Sequence, residues 1–94
     1  MTLLVTVRVR ADGLATVRDE LRKVVSATRK EDGCLIYEVH EATADPGRIV
    51  FYERWSSPAH LARHQAQDLM ISFVETGTPY LLGEPDTVVL EPLQ

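Results

Sequence analysis

Two alternating stretches on either side of a short turn restrict this chain more than any other feature. Residues 34–43 set Leu35, Tyr37 and Val39 against Cys34, Ile36, Glu38 and His40. Residues 48–56 set Ile49, Phe51, Glu53 and Trp55 against Val50, Tyr52 and Arg54. A period of two in apolar, β-branched and aromatic residues is the pattern of a strand, because successive side chains of extended backbone point to opposite faces. Between the stretches, Ala-Asp-Pro-Gly-Arg at 44–48 supplies the fixed φ of proline and the free φ of glycine that a tight reversal needs. The two strands are therefore expected to pair as a hairpin.

The remaining elements fall around that hairpin. Residues 3–9 alternate Val5, Val7 and Val9 with Thr6, Arg8 and Arg10, which predicts a first strand. Leu14, Val17, Leu21, Val24, Val25 and Thr28 recur at helical spacing, so a helix is expected over about 13–30, with Asp12 as its N-cap and Gly33 in the place of a C-cap. Ser57 followed by Pro58 is a helix start, since serine caps the free N–H groups and proline tolerates the first helical position. That helix carries Leu61 and His64 and has the pattern to continue, with a bend, through Met70, Phe73 and Val74 until Thr-Gly-Thr-Pro at 76–79 ends it. Thr87 to Leu90 reads as a last strand.

Strand, helix, strand, strand, helix, strand is the ferredoxin-like βαββαβ order, an α+β fold with a four-stranded antiparallel sheet and its helices on one face. A sheet with one wet face should alternate cleanly between apolar and polar. Here Leu4 neighbours Val5, Leu35 neighbours Ile36, Val50 neighbours Phe51, and Val88 neighbours Val89. Both faces are substantially apolar, which predicts a homodimer in which a second copy covers the face that the helices leave free.

Composition narrows the partners. At 94 residues the chain is expected to form a single domain over 1–94, small enough that dimerisation would help it bury surface. Its net charge is −4, and the cluster of Arg18, Arg22, Lys23, Arg29 and Lys30 is interleaved with Asp19, Glu20, Glu31 and Asp32. That argues against nucleic acid, whose phosphates call for an unbroken basic face. No apolar run approaches the roughly 20 residues that span a bilayer, and residues 1–20 lack a secretory signal, so no membrane partner and a cytoplasmic location are expected. The one cysteine, Cys34, follows a helix C-terminus, where the negative dipole end opposes a thiolate, and is expected to be structural.

Taken together, "TRKEDGCLIYEVHE", "DPGR", "IVFYERWSSPAHLARH" and "LLGEPDTVVLEPL" resemble the antibiotic biosynthesis monooxygenase domain family, small dimeric α+β barrel proteins that include quinol monooxygenases. The most specific part is Arg29-x-x-x-Gly33-Cys34-Leu35-x-Tyr37, then Glu53-x-Trp55, then His64. The resemblance implies a cofactor-independent monooxygenase that oxidises an aromatic, quinol or polyketide-like small molecule with molecular oxygen, with no cofactor and no metal. Two departures stand out. Where the family often carries a second His followed by Phe, this chain has Leu69 and Met70. The haem-degrading branch uses an asparagine on the first strand, and this chain contains no asparagine.

Such chemistry requires an electron-rich substrate anion, and a phenol with a pKa of about 10 needs a base to provide it near neutrality. His64 is the expected catalytic base, because an imidazole titrates close to neutrality. Tyr37, Trp55, Glu53 and Phe73 are the expected substrate-binding residues, the two larger aromatics as walls of a flat pocket. If buried, Glu53 must be paired or protonated, and Arg29 is the expected partner. His60 and His64 have the one-turn spacing of a zinc pair but lack a third ligand in the motif. Two other readings stay open: a non-catalytic dimeric ligand-binding or accessory module, and an isomerase or cyclase on the same fold.

Overall fold

The computed structural model describes residues 1–94. Its elements are β1 (Thr2–Arg8), a 3-10 turn at Ala11–Gly13, α1 (Leu14–Thr28), β2 (Cys34–Glu41), β3 (Arg48–Trp55), α2 (Pro58–Gln65), α3 (Asp68–Gly77), a second 3-10 turn at Thr78–Tyr80 and β4 (Asp86–Leu90). The strands form one antiparallel sheet in the order β2-β3-β1-β4. This is the expected ferredoxin-like α+β architecture, with the second helical region split into α2 and α3.

The core lies between one sheet face and the helices. From the sheet it takes Leu3, Tyr37, Ile49, Phe51 and Trp55, and from α1 the stripe Leu14, Val17, Leu21 and Val24, joined by Leu61 of α2. Across the hairpin Tyr37 pairs with Glu53, Val39 with Phe51 and Glu41 with Ile49, which sets these residues on the helix side. The Arg18 guanidinium on α1 holds both oxygens of Glu41 at 2.8 Å, and the same carboxylate accepts the Gly47 N–H at 3.0 Å, so one side chain ties α1 to the hairpin turn. Gly47 has φ +89, and a Cβ there would strike the Val9 carbonyl, which explains why glycine ends the turn.

Four local expectations are corrected. Asp12 does not cap α1; its carboxylate binds Arg10 at 2.9 and 3.0 Å, and Gly13 occupies the cap position with no side-chain bond. Gly33 does not cap α1 either, because the helix ends at Thr28 and a run of turns intervenes. Its φ of +80 instead reverses the chain into β2, where its carbonyl accepts the Ser56 N–H at 2.9 Å. A bulge shifts the register at the start of β2, with Cys34 opposite Trp55 and Ile36 opposite Arg54. The extra residue turns Leu35 out to solvent at 57% exposure and brings Cys34 in against the core, the reverse of strict alternation. Lastly, α2 closes at Ala66, and Gln67 adopts extended backbone (φ −66, ψ 139) before α3 begins.

Ser57 behaves as expected: its Oγ accepts the His60 N–H at 3.3 Å, with Pro58 at the first helical position. The sheet face away from the helices carries Leu4, Ile36, Val50, Tyr52, Val88 and Leu90, none of them buried. No helix is long and apolar enough to cross a membrane.

Candidate functional site

The break between α2 and α3 lets α3 stand off from the sheet. Beneath it is a cavity of about 680 Å³, floored by Leu3, Val5, Val7 and Phe51 and walled by Val17, Leu21, Leu61, Met70 and Phe73. Its deeper polar groups are Glu53 and His64; Gln65, Thr78, Glu84 and Thr87 complete the polar lining. No lysine or arginine lines it.

His64 is 2% exposed, and its two ring nitrogens have different surroundings. Nδ1 donates to the Glu31 carboxylate, 3.1 Å from Oε2 and 3.3 Å from Oε1. A carboxylate only accepts, so Nδ1 carries the hydrogen, and the tautomer this selects has its lone pair on Nε2. Nε2 is buried and has no partner within the chain. His64 also lines the cavity, and a carboxylate fixing one nitrogen while the other has no partner is an arrangement that orients an imidazole base.

Tyr37 and Trp55 do not wall the cavity as the sequence suggested. They are 1% and 0% exposed and sit behind it. The Trp55 ring lies 4.7 Å from that of His64 at 31°, and the Tyr37 ring meets His64 edge-on at 5.4 Å, so together they set the imidazole plane. Tyr37 also packs edge-on against Phe51 and Trp55 at 6.4 Å. Burial, followed by the nearby charges of Glu53 and Glu31, pushes the Tyr37 phenol far up and keeps it neutral.

Glu53 is 6% exposed and does not pair with Arg29. The Arg29 Nε donates instead to the Tyr37 carbonyl at 3.0 Å, while Glu53 Oε1 accepts the Trp55 Nε1–H at 3.0 Å. Phe73 is half-buried on α3 and lines the cavity. Cys34 lies outside the cavity lining, and burial, then the Glu31 and Glu53 charges, pushes its thiol up, against a smaller opposing effect of Arg29.

The two histidines of α2 do not converge. The Ser57 hydroxyl donates to His60 Nδ1 at 2.7 Å, and His60 Nε2 is 3.5 Å from Asp32, whereas His64 binds Glu31. No group of three His, Cys, Asp or Glu side chains comes together in a metal-binding cluster.

Glu31 is the member of this cluster that sequence reasoning overlooked, since it reads there as one of several charges on a solvated helix. Its only sequence signal is its place in the turn leading into β2, two residues before Gly33. Removing its carboxylate with Glu31→Ala leaves a buried imidazole N–H without its partner, and is expected to cost about 1–3 kcal/mol. Urea denaturation measures this loss, and Glu31→Gln, which keeps an acceptor oxygen, is expected to recover most of it. Equal stability of Glu31→Ala and the parent would mean that the pair does not form.

Comparison with known proteins gives consistent results. The family model described as antibiotic biosynthesis monooxygenase matches residues 1–76. Rv0793 of Mycobacterium tuberculosis, whose name assigns it monooxygenase activity only provisionally, is 35% identical over 86 residues, covering 89% of this chain and 82% of its own length. The solved structure of Rv0793 superposes with a TM-score of 0.89, 26% identical, over 99% of this chain and 94% of that one. PA3566 of Pseudomonas aeruginosa superposes at 0.88, 30% identical, over 99% and 93%. A crystal structure of an antibiotic biosynthesis monooxygenase, 24% identical, matches in fold at 0.94 over 99% and 98%.

Proposed function

Because the chain belongs to the antibiotic biosynthesis monooxygenase family, we propose that it is a cofactor-independent monooxygenase acting on an uncharged aromatic, quinol or polyketide-like molecule, with His64 as the base. The single observation that carries this reading is His64 on the lining of an apolar cavity, its buried Nε2 without a partner in the chain and its other nitrogen held by Glu31. Phe73 and Glu53 contact the substrate, while Tyr37 and Trp55 position the imidazole from behind.

The chemistry balances without an external reductant. An acidic proton of the substrate, from a phenol or from a ring CH2 beside a carbonyl, passes to Nε2 and leaves an electron-rich anion. The anionic carbon reduces dioxygen and bonds to it, and the proton held on His64 completes a hydroperoxide. Loss of water, made from the distal oxygen, its hydrogen and the hydrogen remaining on that carbon, cleaves the O–O bond and leaves a carbonyl. One oxygen atom enters the product and the other leaves as water.

The side chains of the cavity do not suit a flavin or haem. Flavin phosphate and haem propionates are anions that require cationic or strong donor groups, and the lining offers no lysine or arginine while holding two glutamates. An uncharged ring system matches the apolar floor and walls.

Oxygen uptake with a panel of quinols and anthrones, in the presence of a chelator and with no added flavin or haem, tests the proposal. Uptake that depends on one class of substrate supports it. Ligand binding with no uptake by any member would favour the non-catalytic module, and product isomers formed without uptake would favour the isomerase or cyclase.

We read residues 1–94 as one domain of a cytoplasmic homodimer joined through the free sheet face. Leu4, Ile36, Val50, Tyr52, Val88 and Leu90 are left partly or fully exposed there, an apolar surface suited to a second copy. Such an interface would bury on the order of 2,000 Å² in total. Light scattering at micromolar concentration is expected to return twice the chain mass of 10.5 kDa, and a stable monomer would contradict the assembly.

A further inference from the structure

We propose that Glu53 works as a neutral carboxylic acid, presenting an O–H to the cavity as a hydrogen-bond donor for a carbonyl oxygen of the ligand, so that the cavity selects uncharged ketones over carboxylates. The role rests on the reading given under Proposed function, but the protonation state of Glu53 does not.

The geometry leaves Glu53 little support for a negative charge. Its side chain is almost fully buried, at 6% residue exposure, and no lysine or arginine forms an ion pair with it. One oxygen accepts the Trp55 Nε1–H at 3.0 Å, and the other makes no hydrogen bond within the chain although the residue lines the cavity. An ionised carboxylate in apolar surroundings needs a counter-charge or several donors, and here there is one neutral donor.

The groups facing Glu53 from the neighbouring elements reinforce this. On β1 its register partner is Leu3, and on β2 it is Tyr37, a buried neutral phenol. Cys34 at the start of β2 is a thiol that burial, first of all, pushes up, so it offers no positive charge to Glu53. From α2 come Leu61 and His64, and behind His64 stands the Glu31 carboxylate, a like charge that already takes the imidazole N–H. Glu84 lies farther along the lining and is also acidic. Burial therefore pushes the Glu53 carboxyl up, and the Trp55 hydrogen bond and the His64 imidazole offset this only in part.

A neutral acid beside a base gives the site complementary partners. His64 Nε2 accepts a ligand hydrogen, and Glu53 donates to a ligand oxygen where negative charge develops, a role that a carboxylate cannot fill. A carboxylate ligand, by contrast, would bring its charge toward Glu84 of the lining and the Glu31 carboxylate behind His64, with no cation in the cavity lining to offset it.

The matched probes are 2-acetylnaphthalene and 2-naphthoate, followed through quenching of Trp55, the single tryptophan, which contacts both Glu53 and His64. The parent is expected to bind the ketone at least about tenfold more tightly than the carboxylate. Glu53→Gln keeps the acceptor for Trp55 and offers an N–H in place of the acid O–H, so its ketone affinity should stay within about threefold of the parent, whereas Glu53→Leu should lose about tenfold. Ketone affinity of the parent should fall as pH rises through the Glu53 titration, and that of Glu53→Gln should not. Infrared spectroscopy of the ligand-free protein at neutral pH should show a protonated-carboxyl C=O band that Glu53→Gln lacks. Absence of that band, or a loss in Glu53→Gln equal to that in Glu53→Leu, overturns the neutral acid. Equal or tighter binding of 2-naphthoate by the parent overturns the selectivity. If the band is present and the ketone binds but no substrate consumes oxygen, the monooxygenase reading fails while the protonation state of Glu53 stands.

Discussion

His64→Ala is expected to lower oxygen-consuming turnover by about 10² to 10⁴, the usual contribution of a positioned general base. The loss should appear mainly in kcat, because the apolar floor and walls of the cavity, from Leu3 and Val5 to Met70 and Phe73, are unchanged. His64 is 2% exposed and packed between Tyr37 and Trp55, so the alanine variant also opens a void. His64→Gln fills more of that space and cannot act as a base near neutrality, and it is expected to be folded and comparably slow. Circular dichroism and a thermal melt establish folding for both. A folded variant that turns over as fast as the parent would remove His64 from the mechanism.

Trp55→Ala is expected to cause the largest loss of stability in the molecule, about 3–5 kcal/mol, as for removal of a fully buried aromatic. Trp55 is 0% exposed, and its ring stacks obliquely on His64 and meets Tyr37 edge-on at 6.4 Å. Its indole N–H is also the only hydrogen-bond donor within the chain to Glu53, so the substitution removes a core ring and leaves a buried carboxyl without a partner. Domains of this size typically have about 5–15 kcal/mol in total, so the variant should retain only a fraction of the parent's stability. Urea denaturation measures the difference, and a loss below about 1 kcal/mol would mean that the core tolerates the void by collapsing.

These two residues also show which parts of the structure can be read from sequence. The hairpin was legible because alternation, a Pro-Gly turn and β-branched residues all favour the same local structure, and the register observed from Ile36 to Glu41 follows from it. The α2 start was legible because Ser57 and Pro58 act within one turn of each other. His64 was legible as a residue, but its chemistry was not. Glu31 lies 33 residues away in sequence, and only the packing of α2 over the turn before β2 brings the pair to 3.1 Å. The assignment of Arg29 to Glu53 failed for a related reason. Charge complementarity in sequence does not reveal that a backbone carbonyl, that of Tyr37, lies within reach of the guanidinium. The bulge at Cys34 escaped a strict period-two reading because one inserted residue reverses the two positions before it, and no unusual residue marks the spot. Tyr37 and Trp55 were recognised as aromatics near the site, yet periodicity gives only the face of the sheet. It cannot tell a ring at the cavity wall from one packed behind it.

The proposed chemistry is direct reduction of dioxygen by a substrate anion formed at His64. Turnover of an active quinol or anthrone under 18O2 in unlabelled water, followed by mass spectrometry of the product at early times, tests this most directly. One 18O atom is expected in each product molecule and the second in water, with no accumulation of hydrogen peroxide and the same labelling after chelation. A product whose new oxygen comes from solvent, or oxygen returned stoichiometrically as hydrogen peroxide, would contradict it.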